Sequence, residues 1–159
     1  MKLTLSWLKE YLDTNASLDE ICNKLTNIGL EVESVEDKSK SLSFFSVAQI
    51  IEANPHPESS KLKICKVDVG NKEFLQIICC AANARGGIKV IYAPIDSIIP
   101  ANGMKIKKSA IRGVESHGML CSADELKLGT DSEGIVEIDN NVAVGTKITN
   151  LYGLNDAII

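Results

Sequence analysis

The sequence predicts a mainly β fold with an α/β flank, and three observations support this fold class. From residue 44 onward, short segments rich in β-branched residues alternate apolar and polar positions, which is typical of strands. Gly, Pro, Asn and Asp separate these segments, as they do in turns. Residues 1–40 instead show helical spacing. Aromatic residues make up only 4% of the 159 residues, so we expect an aliphatic core.

Helix signals dominate residues 1–40. Ser6 can cap a short first helix over residues 7–12. The stretch from Ser17 to Glu20 has the spacing of a capping box, and apolar residues then recur every three or four positions. Gly29 suits the position just after this second helix. Short strands are expected to flank the two helices, and a polar linker follows them.

Six strand-like segments follow the linker. They lie at Phe45–Ala53, Leu62–Val69, Phe74–Cys79, Ile88–Ala93, Met104–Val114 and Ile135–Ile138. Gly70-Asn71 predicts a tight hairpin between the second and third segments. The apolar phase slips within the second segment, which predicts a β-bulge near Cys65. Several short strands with regular turns favour a small barrel, and a five-stranded barrel of the OB type fits them best.

Residues 101–126 carry the densest polar and basic pattern of the chain. Asn102-Gly103 predicts a turn, and the strand expected after it contains four cations. These cations are Lys105, Lys107, Lys108 and Arg112. Regular alternation would divide them between the two faces of the strand, so we expect a bulge near Lys107. Ser122 to Glu125 fits another capping box and predicts a short helix.

The charge of the chain is distributed unevenly. The net charge is −4, yet the stretch from Lys61 to Arg112 carries +7 and the remainder −11. Nine cations recur on the predicted strands and adjoining turns: Lys61, Lys63, Lys66, Arg85, Lys89, Lys105, Lys107, Lys108 and Arg112. Cations on several strands can neutralise phosphates, which predicts contact with a nucleic acid. A solvated basic face is the alternative interpretation.

Few aromatic side chains are available to stack on bases. Phe44, Phe45, Phe74 and Tyr92 stand mostly in apolar company, so we expect them in the core. OB domains that grip single strands usually stack bases on aromatic rings. The sequence therefore favours recognition of RNA by the shape of its backbone.

No catalytic, cofactor or metal residue is predicted. The five cysteines lack C-x-x-C spacing and are interpreted as reduced core thiols. Glu115-Ser116-His117 brings a carboxylate, a hydroxyl and an imidazole together in sequence, but sequence neighbours rarely align for nucleophilic catalysis. His56, between two prolines, is expected in a rigid exposed loop. No apolar run approaches the length that a membrane span requires.

Two stretches resemble the tRNA-binding OB domain that several aminoacyl-tRNA synthetases share. They read VAQIIEANPHPESSKLKICKVDV at residues 47–69 and KIKKSAIRGVESHGMLCSADEL at residues 105–126. Two further stretches, LSWLKEY at residues 5–11 and GLEVESV at residues 29–35, are similar to the start of bacterial phenylalanyl-tRNA synthetase β subunits. The resemblance covers nearly the whole chain.

The resemblance implies a five-stranded OB-type barrel inserted in a small split α/β domain. Residues 1–40 would form the first part of that domain, residues 41–144 the tRNA-binding barrel, and residues 145–159 the start of the second part. The alternative is a structural or subunit-interface module, or a free-standing tRNA-binding protein.

The resemblance also implies partners. The whole enzyme would be cytoplasmic and would charge tRNA(Phe), using ATP and magnesium, with the β subunit paired to a catalytic α subunit in a heterotetramer. Aminoacylation would lie on α and editing further along β. We therefore expect no cofactor in this region, and neither DNA nor a membrane as a partner.

Overall fold

The computed structural model describes residues 1–159 and is mainly β, as predicted. Its elements are, in chain order, α1 (Leu5–Tyr11), α2 (Leu18–Asn27), α3 (Lys38–Ser41), β1 (Ser46–His56), β2 (Ser59–Asp68), β3 (Leu75–Cys79), β4 (Lys89–Ala93), β5 (Ser109–Ile111), β6 (Val114–Ser116), β7 (Met119–Leu120), β8 (Glu137–Ile138) and α4 (Ile148–Leu151). None of the helices has both the length and the apolar surface needed to cross a bilayer.

The main sheet is antiparallel and open. Its strand order is β3-β2-β1-β4-β7, and β8 also pairs with β4. No ladder joins β7 back to β3. Two hydrogen bonds lie in this gap: the His117 N–H donates to the Gln76 carbonyl (2.9 Å), and the Ile78 N–H donates to the Ser116 hydroxyl (3.0 Å). The antiparallel sheet is confirmed, whereas the OB-type barrel stays a prediction.

Strand β4 is buried on both faces and separates two apolar clusters. Val90 and Tyr92 face one cluster, with residues of β1, β2 and β3. Ile91 and Ala93 face the other, where Phe45 is fully buried. This division follows from the alternation of side chains along a strand. Both clusters are largely aliphatic, as the composition predicted.

A bulge lies on β1 rather than on β2. The register between β1 and β2 shifts at Ile51, while β2 pairs with β3 without a shift. The prediction of a bulge near Cys65 was therefore wrong. Cys65 and Val67 are buried, whereas Leu62 and Ile64 lie on the outer face, so apolar residues on both faces caused the apparent slip.

The predicted strand Met104–Val114 is instead an arm followed by a hairpin. The first half makes one isolated bridge, between Lys105 and Ile98. Strands β5 and β6 then form a hairpin around Arg112-Gly113, where φ is 50° and 82°. Two consecutive residues with positive φ are typical of a tight hairpin turn. The prediction of a bulge near Lys107 was wrong because residues 106–108 belong to no strand and β5 begins only at Ser109.

The capping signals of the sequence correctly predict α2, whereas the other local signals predict the observed structure only in part. The reciprocal bonds of the Ser17 capping box are present, and Gly29 has φ 95° just after the helix. Ser122 and Glu125 also exchange capping-box bonds, but turns follow in place of the predicted helix. The hairpin expected at Gly70-Asn71 forms, with a longer loop between β2 and β3.

The two ends of the chain pair with each other. Ile158 forms bridges with Thr4 on one side and Glu36 on the other. Thr4, rather than the predicted Ser6, caps α1, because Ser6 bonds through its N–H and hydroxyl to Asp156. The last residues of the chain therefore pack with the first forty.

Candidate nucleic-acid interface

Residues 105–108, which we call the lysine arm, are held to the protein by Ile106. This side chain is buried. Its N–H donates to the Ser97 carbonyl (2.8 Å), and its carbonyl accepts from the Asp96 N–H (2.7 Å). The three lysines around Ile106 are exposed: Lys105, Lys107 and Lys108. A loop anchored at one apolar residue thus brings the cations into solvent together, which a regular strand would not do.

Acidic side chains near the lysine arm hold it only weakly. Lys105 Nζ lies 3.3 Å from Asp96 Oδ1, and Lys108 Nζ lies 3.4 Å from Glu115 Oε1. Lys107 forms no ion pair. All four paired side chains are more than half exposed, and exposed pairs contribute at most about 1 kcal/mol. A phosphate can therefore replace either carboxylate.

The hairpin of β5 and β6 docks on the turn between β1 and β2. Arg112 Nη1 donates to the Glu58 carbonyl (2.7 Å), and His56 Nε2 bonds to the Ile111 carbonyl (3.1 Å). His56 is only 4% exposed, so the prediction of an exposed loop was wrong: β1 continues through the proline and places the ring beneath the hairpin. Lys61, exposed near the start of β2, lies three residues beyond Glu58.

A cleft of about 530 Å³ lies beside the lysine arm. Lys105 and Lys107 line one side of it, and Met119 of β7 and Ile135 contribute apolar surface. Several serines, among them Ser109, and two glutamates also line it. The cleft therefore offers apolar surface and hydrogen-bonding groups next to cations, an arrangement that suits a nucleotide.

Besides Arg112, three more of the cations predicted to bind RNA make their bonds within the protein. Lys63 and Lys89 each donate to two loop carbonyl groups. Arg85 forms a bidentate salt bridge with Glu137, in which Nη1 donates to Oε1 (2.8 Å) and Nη2 donates to Oε2 (3.0 Å). These bonds lower the pKa of Glu137 and raise that of Arg85. The structure thus separates these three from the arm cations, a distinction that strand spacing alone did not predict.

Two of the aromatic residues expected in the core are exposed. Phe44 is 64% exposed and Phe74 is 48% exposed, while Phe45 and Tyr92 are buried as predicted. Lys66 Nζ lies 5.0 Å from the centroid of the Phe74 ring. Sequence reasoning missed Phe74 because it begins a strand-like segment that continues into apolar residues. Its parity with Lys66 and Gln76 on the outer face of the sheet could have identified it.

Ser116 and His117 do not act together. The Ser116 hydroxyl accepts from the Ile78 N–H and donates to the Gly118 carbonyl (3.2 Å), so both of its bonds are to backbone groups of the fold. His117 Nε2 lies 3.4 Å from a carboxylate oxygen of Glu115. No group of three His, Cys, Asp or Glu side chains is placed to hold a metal ion.

The cysteines are free, and most are buried as expected. Cys65, Cys79 and Cys121 are buried, and burial raises the pKa of Cys65 to about 11. Cys22 is partly exposed and Cys80 exposed, so Cys80 is not the core thiol that the sequence predicted. Raised pKa values make the buried thiols poor nucleophiles.

An open antiparallel sheet that carries an exposed basic arm next to a nucleotide-sized cleft defines a nucleic-acid-binding class of domain. Residues 45–147 match the family model described as a putative tRNA binding domain, and the chain belongs to this family.

Two relatives extend the match over nearly the whole chain. The sequence is 53% identical over 158 residues to the phenylalanine–tRNA ligase β subunit of Rickettsia bellii, covering 99% of this chain and 18% of the relative. It is 48% identical to the β subunit of Rhodospirillum rubrum, covering 99% of this chain and 20% of the relative. The chain thus spans about a fifth of the length of these curated relatives.

Among solved structures, the fold is similar to a MetRS-related protein from Pyrococcus horikoshii. The two align with a TM-score of 0.51 and 25% sequence identity, over 70% of this chain and 95% of the other. The similarity thus covers nearly all of the other protein.

Proposed function

We propose that this chain is the tRNA-binding region of a phenylalanine–tRNA ligase β subunit, and that it holds tRNA through phosphate contacts. The observation that carries the proposal is the lysine arm, residues 105–108, where three exposed lysines surround one buried anchor. Arg112 and Lys61 extend the basic surface along the neighbouring hairpin and turn. Membership in a tRNA-binding family and identity of about 50% to ligase β subunits support the same function.

The proposed mechanism is electrostatic. Lysines that neutralise phosphates release the counterions of the RNA, which supplies affinity but little sequence information. The cleft beside the arm would accept a nucleotide that follows the contacted phosphates. In this scheme the region lengthens the residence time of tRNA on the enzyme, while selection of tRNA(Phe) depends on other parts of the enzyme.

We further propose an OB-type barrel, residues 41–144, inserted in a split α/β domain. The two hydrogen bonds in the gap between β3 and the β6–β7 segment support closure of the barrel. Residues 1–40 would be the first part of the split domain, and residues 145–159 the start of its second part. Their pairing through Ile158, which lies between Thr4 and Glu36, supports this division.

The whole protein would act within a cytoplasmic ligase. In this proposal the enzyme joins phenylalanine to tRNA(Phe) with ATP and magnesium, and the β subunit assembles with a catalytic α subunit into a heterotetramer. The names of the curated relatives support the ligase and its β subunit. The residues of this chain contribute binding and architecture, and we assign none of them to catalysis.

The test is the affinity for tRNA of the variant Lys105→Ala/Lys107→Ala/Lys108→Ala. We expect weaker binding across all tRNA sequences, because phosphate contacts carry little sequence information. The matched control is the variant Lys9→Ala/Lys24→Ala/Lys40→Ala, which removes the same charge from exposed lysines that make no side-chain bond.

The control separates a site from general attraction. The proposal predicts that the arm variant loses affinity while the control keeps most of it, with melting temperatures unchanged in both. Equal losses would mean that only net charge matters. No loss in the arm variant would favour the structural or subunit-interface module.

A further inference from the structure

The outer face of β1, β2 and β3 carries a second cleft, of about 360 Å³. The strand register places side chains across it in two rows. Glu52, Lys66 and Gln76 form one row, and Asn54 and Ile64 belong to the next. Phe74 stands at the edge of the cleft, immediately before β3. The face is therefore polar and open, with one aromatic ring at its border.

Phe74 is unusual among the rings of the sheet because nearly half of it is exposed. The other ring at a comparable level of exposure near the sheet, Phe44, has no cation over it. At Phe74 the ammonium of Lys66 lies 5.0 Å from the ring centroid. Lys66 is opposite Glu52 in the register, yet the two form no ion pair. The cation is thus held at the ring and free of any acidic partner.

Side-chain amides beside the Phe74 ring keep hydrogen-bonding groups that have no partner within the protein. The Asn54 side chain makes no hydrogen bond within the chain, and it is exposed. Gln76 donates its Nε2 to the Glu115 carbonyl (2.8 Å), which fixes the amide and leaves its oxygen available. An open ring, an unpaired cation and free amide groups are the features with which proteins hold unpaired bases.

We propose that Phe74 and Lys66 form a stacking site for an unpaired nucleotide of single-stranded RNA. The base would stack on the Phe74 ring, and Lys66 would pair with a phosphate of the same strand. The Asn54 amide would donate to or accept from the edge of the base, and the Gln76 oxygen would accept from it. This inference rests on the proposed function and revises the expectation that the domain lacks a stacking aromatic.

The site is continuous with the lysine arm. Gln76 bonds to the backbone of Glu115, whose carboxylate pairs with Lys108 of the arm. A single strand bound at Phe74 can thus continue across β6 toward the arm. The outer face would hold bases, and the arm would hold phosphates.

The test compares Phe74→Ala with Phe44→Ala in the full chain. The probes are a labelled oligouridine RNA and a blunt-ended RNA duplex, each measured by fluorescence anisotropy. Stacking contributes enough that Phe74→Ala should weaken oligouridine binding about five- to a hundredfold. Binding of the duplex should not change, because it offers no unpaired base. Phe44→Ala should leave both affinities unchanged.

Salt dependence distinguishes the ring from the cation. Phe74→Ala removes no charge, so the slope of log affinity against log salt should stay as in the wild type. Lys66→Ala should flatten it by about 0.7, the value for one contact to a single strand. Phe74→Leu keeps an apolar side chain and loses the ring, so the same loss in this variant excludes misfolding as the cause.

Two results would overturn the stacking site. One is oligouridine affinity that is equal in the wild type and Phe74→Ala; the other is a wild type that binds duplex but no single strand. In either case the proposed function stands if the arm variant still loses tRNA affinity. Conversely, full tRNA affinity in the arm variant would refute the proposed function. The comparison of Phe74→Ala with the wild type on oligouridine would still test the stacking site.

Discussion

Replacing His56 by alanine should loosen the hairpin that carries Arg112. The Glu58 N–H donates to His56 Nδ1 (3.0 Å), so the ring hydrogen must lie on Nε2, which donates to the Ile111 carbonyl (3.1 Å). One neutral ring thus joins the β1–β2 turn to the end of β5. The ring is also buried beneath that hairpin, so alanine removes both bonds and the packing around them.

The size of the effect follows from the two bonds. Each net hydrogen bond contributes about 0.5–1.5 kcal/mol, so losing both should lower the free energy of unfolding by about 1–3 kcal/mol. For a chain of this size, that corresponds to a fall in melting temperature of roughly 3–10 °C. Urea unfolding followed by circular dichroism measures the change. An unchanged m-value, the slope of the free energy of unfolding against urea concentration, would indicate that the same structure unfolds.

The second histidine of the chain provides the control. His117 is partly exposed, and the only polar partner of its ring is the exposed carboxylate of Glu115, at 3.4 Å. His117→Ala should change the free energy of unfolding by no more than about 0.5 kcal/mol. Equal effects of His56→Ala and His117→Ala would refute the role of His56 as the link between the turn and the hairpin.

Two further predictions concern stability. Gly118→Ala should destabilise the fold by about 1–3 kcal/mol in urea unfolding, because the added Cβ would lie 2.5 Å from Tyr92 Cε2; Gly103→Ala, which meets no atom within 4 Å, should cost less, and equal costs would contradict this reasoning. The pKa of Glu137 is lowered chiefly by its hydrogen bond from Arg85, so its contribution should be present above the ordinary glutamate range and lost as the pH falls through the lowered value. Glu137→Gln should therefore be less stable than the wild type at neutral pH and equal to it in acid, and a difference that is the same at every pH would count against this pair.

Much of the sheet could be predicted from sequence because its signals are local. Period-two segments located the first four strands, and the Ser17 capping box located α2. The mainly β class follows from these elements. Strand alternation likewise reports burial directly wherever only one face of the sheet is apolar.

The errors lie where contacts distant in sequence decide. Arg112-Gly113 lies within the predicted strand Met104–Val114 but forms a turn, in which Arg112 bonds to the distant Glu58 carbonyl. The two flanking prolines predicted an exposed His56, but its carbonyl partner lies on β5, far along the chain, and the sequence does not reveal it. Lys63 and Lys89 resembled RNA ligands because their carbonyl partners are not visible in sequence.

The exposed basic surface was predicted in outline, but its division into solvent-exposed lysines and cations bonded within the protein was not. The sequence indicated a basic surface around Lys105, Lys107 and Lys108, and the structure places these residues together in solvent. It did not indicate that the arm is a loop anchored by Ile106, since a buried isoleucine between lysines has the spacing of a strand. Nor did it indicate an exposed Phe74, because burial depends on what packs over the ring.

The salt dependence of tRNA binding tests the central claim most directly. The affinity of the wild type and of Lys105→Ala/Lys107→Ala/Lys108→Ala is measured across a series of salt concentrations, and log affinity is plotted against log salt. If all three arm lysines contact phosphates, the slope of the variant should be flatter by about 2 to 2.7. Parallel slopes with equal affinity would contradict the claim and would identify the lysine arm as a solvated surface.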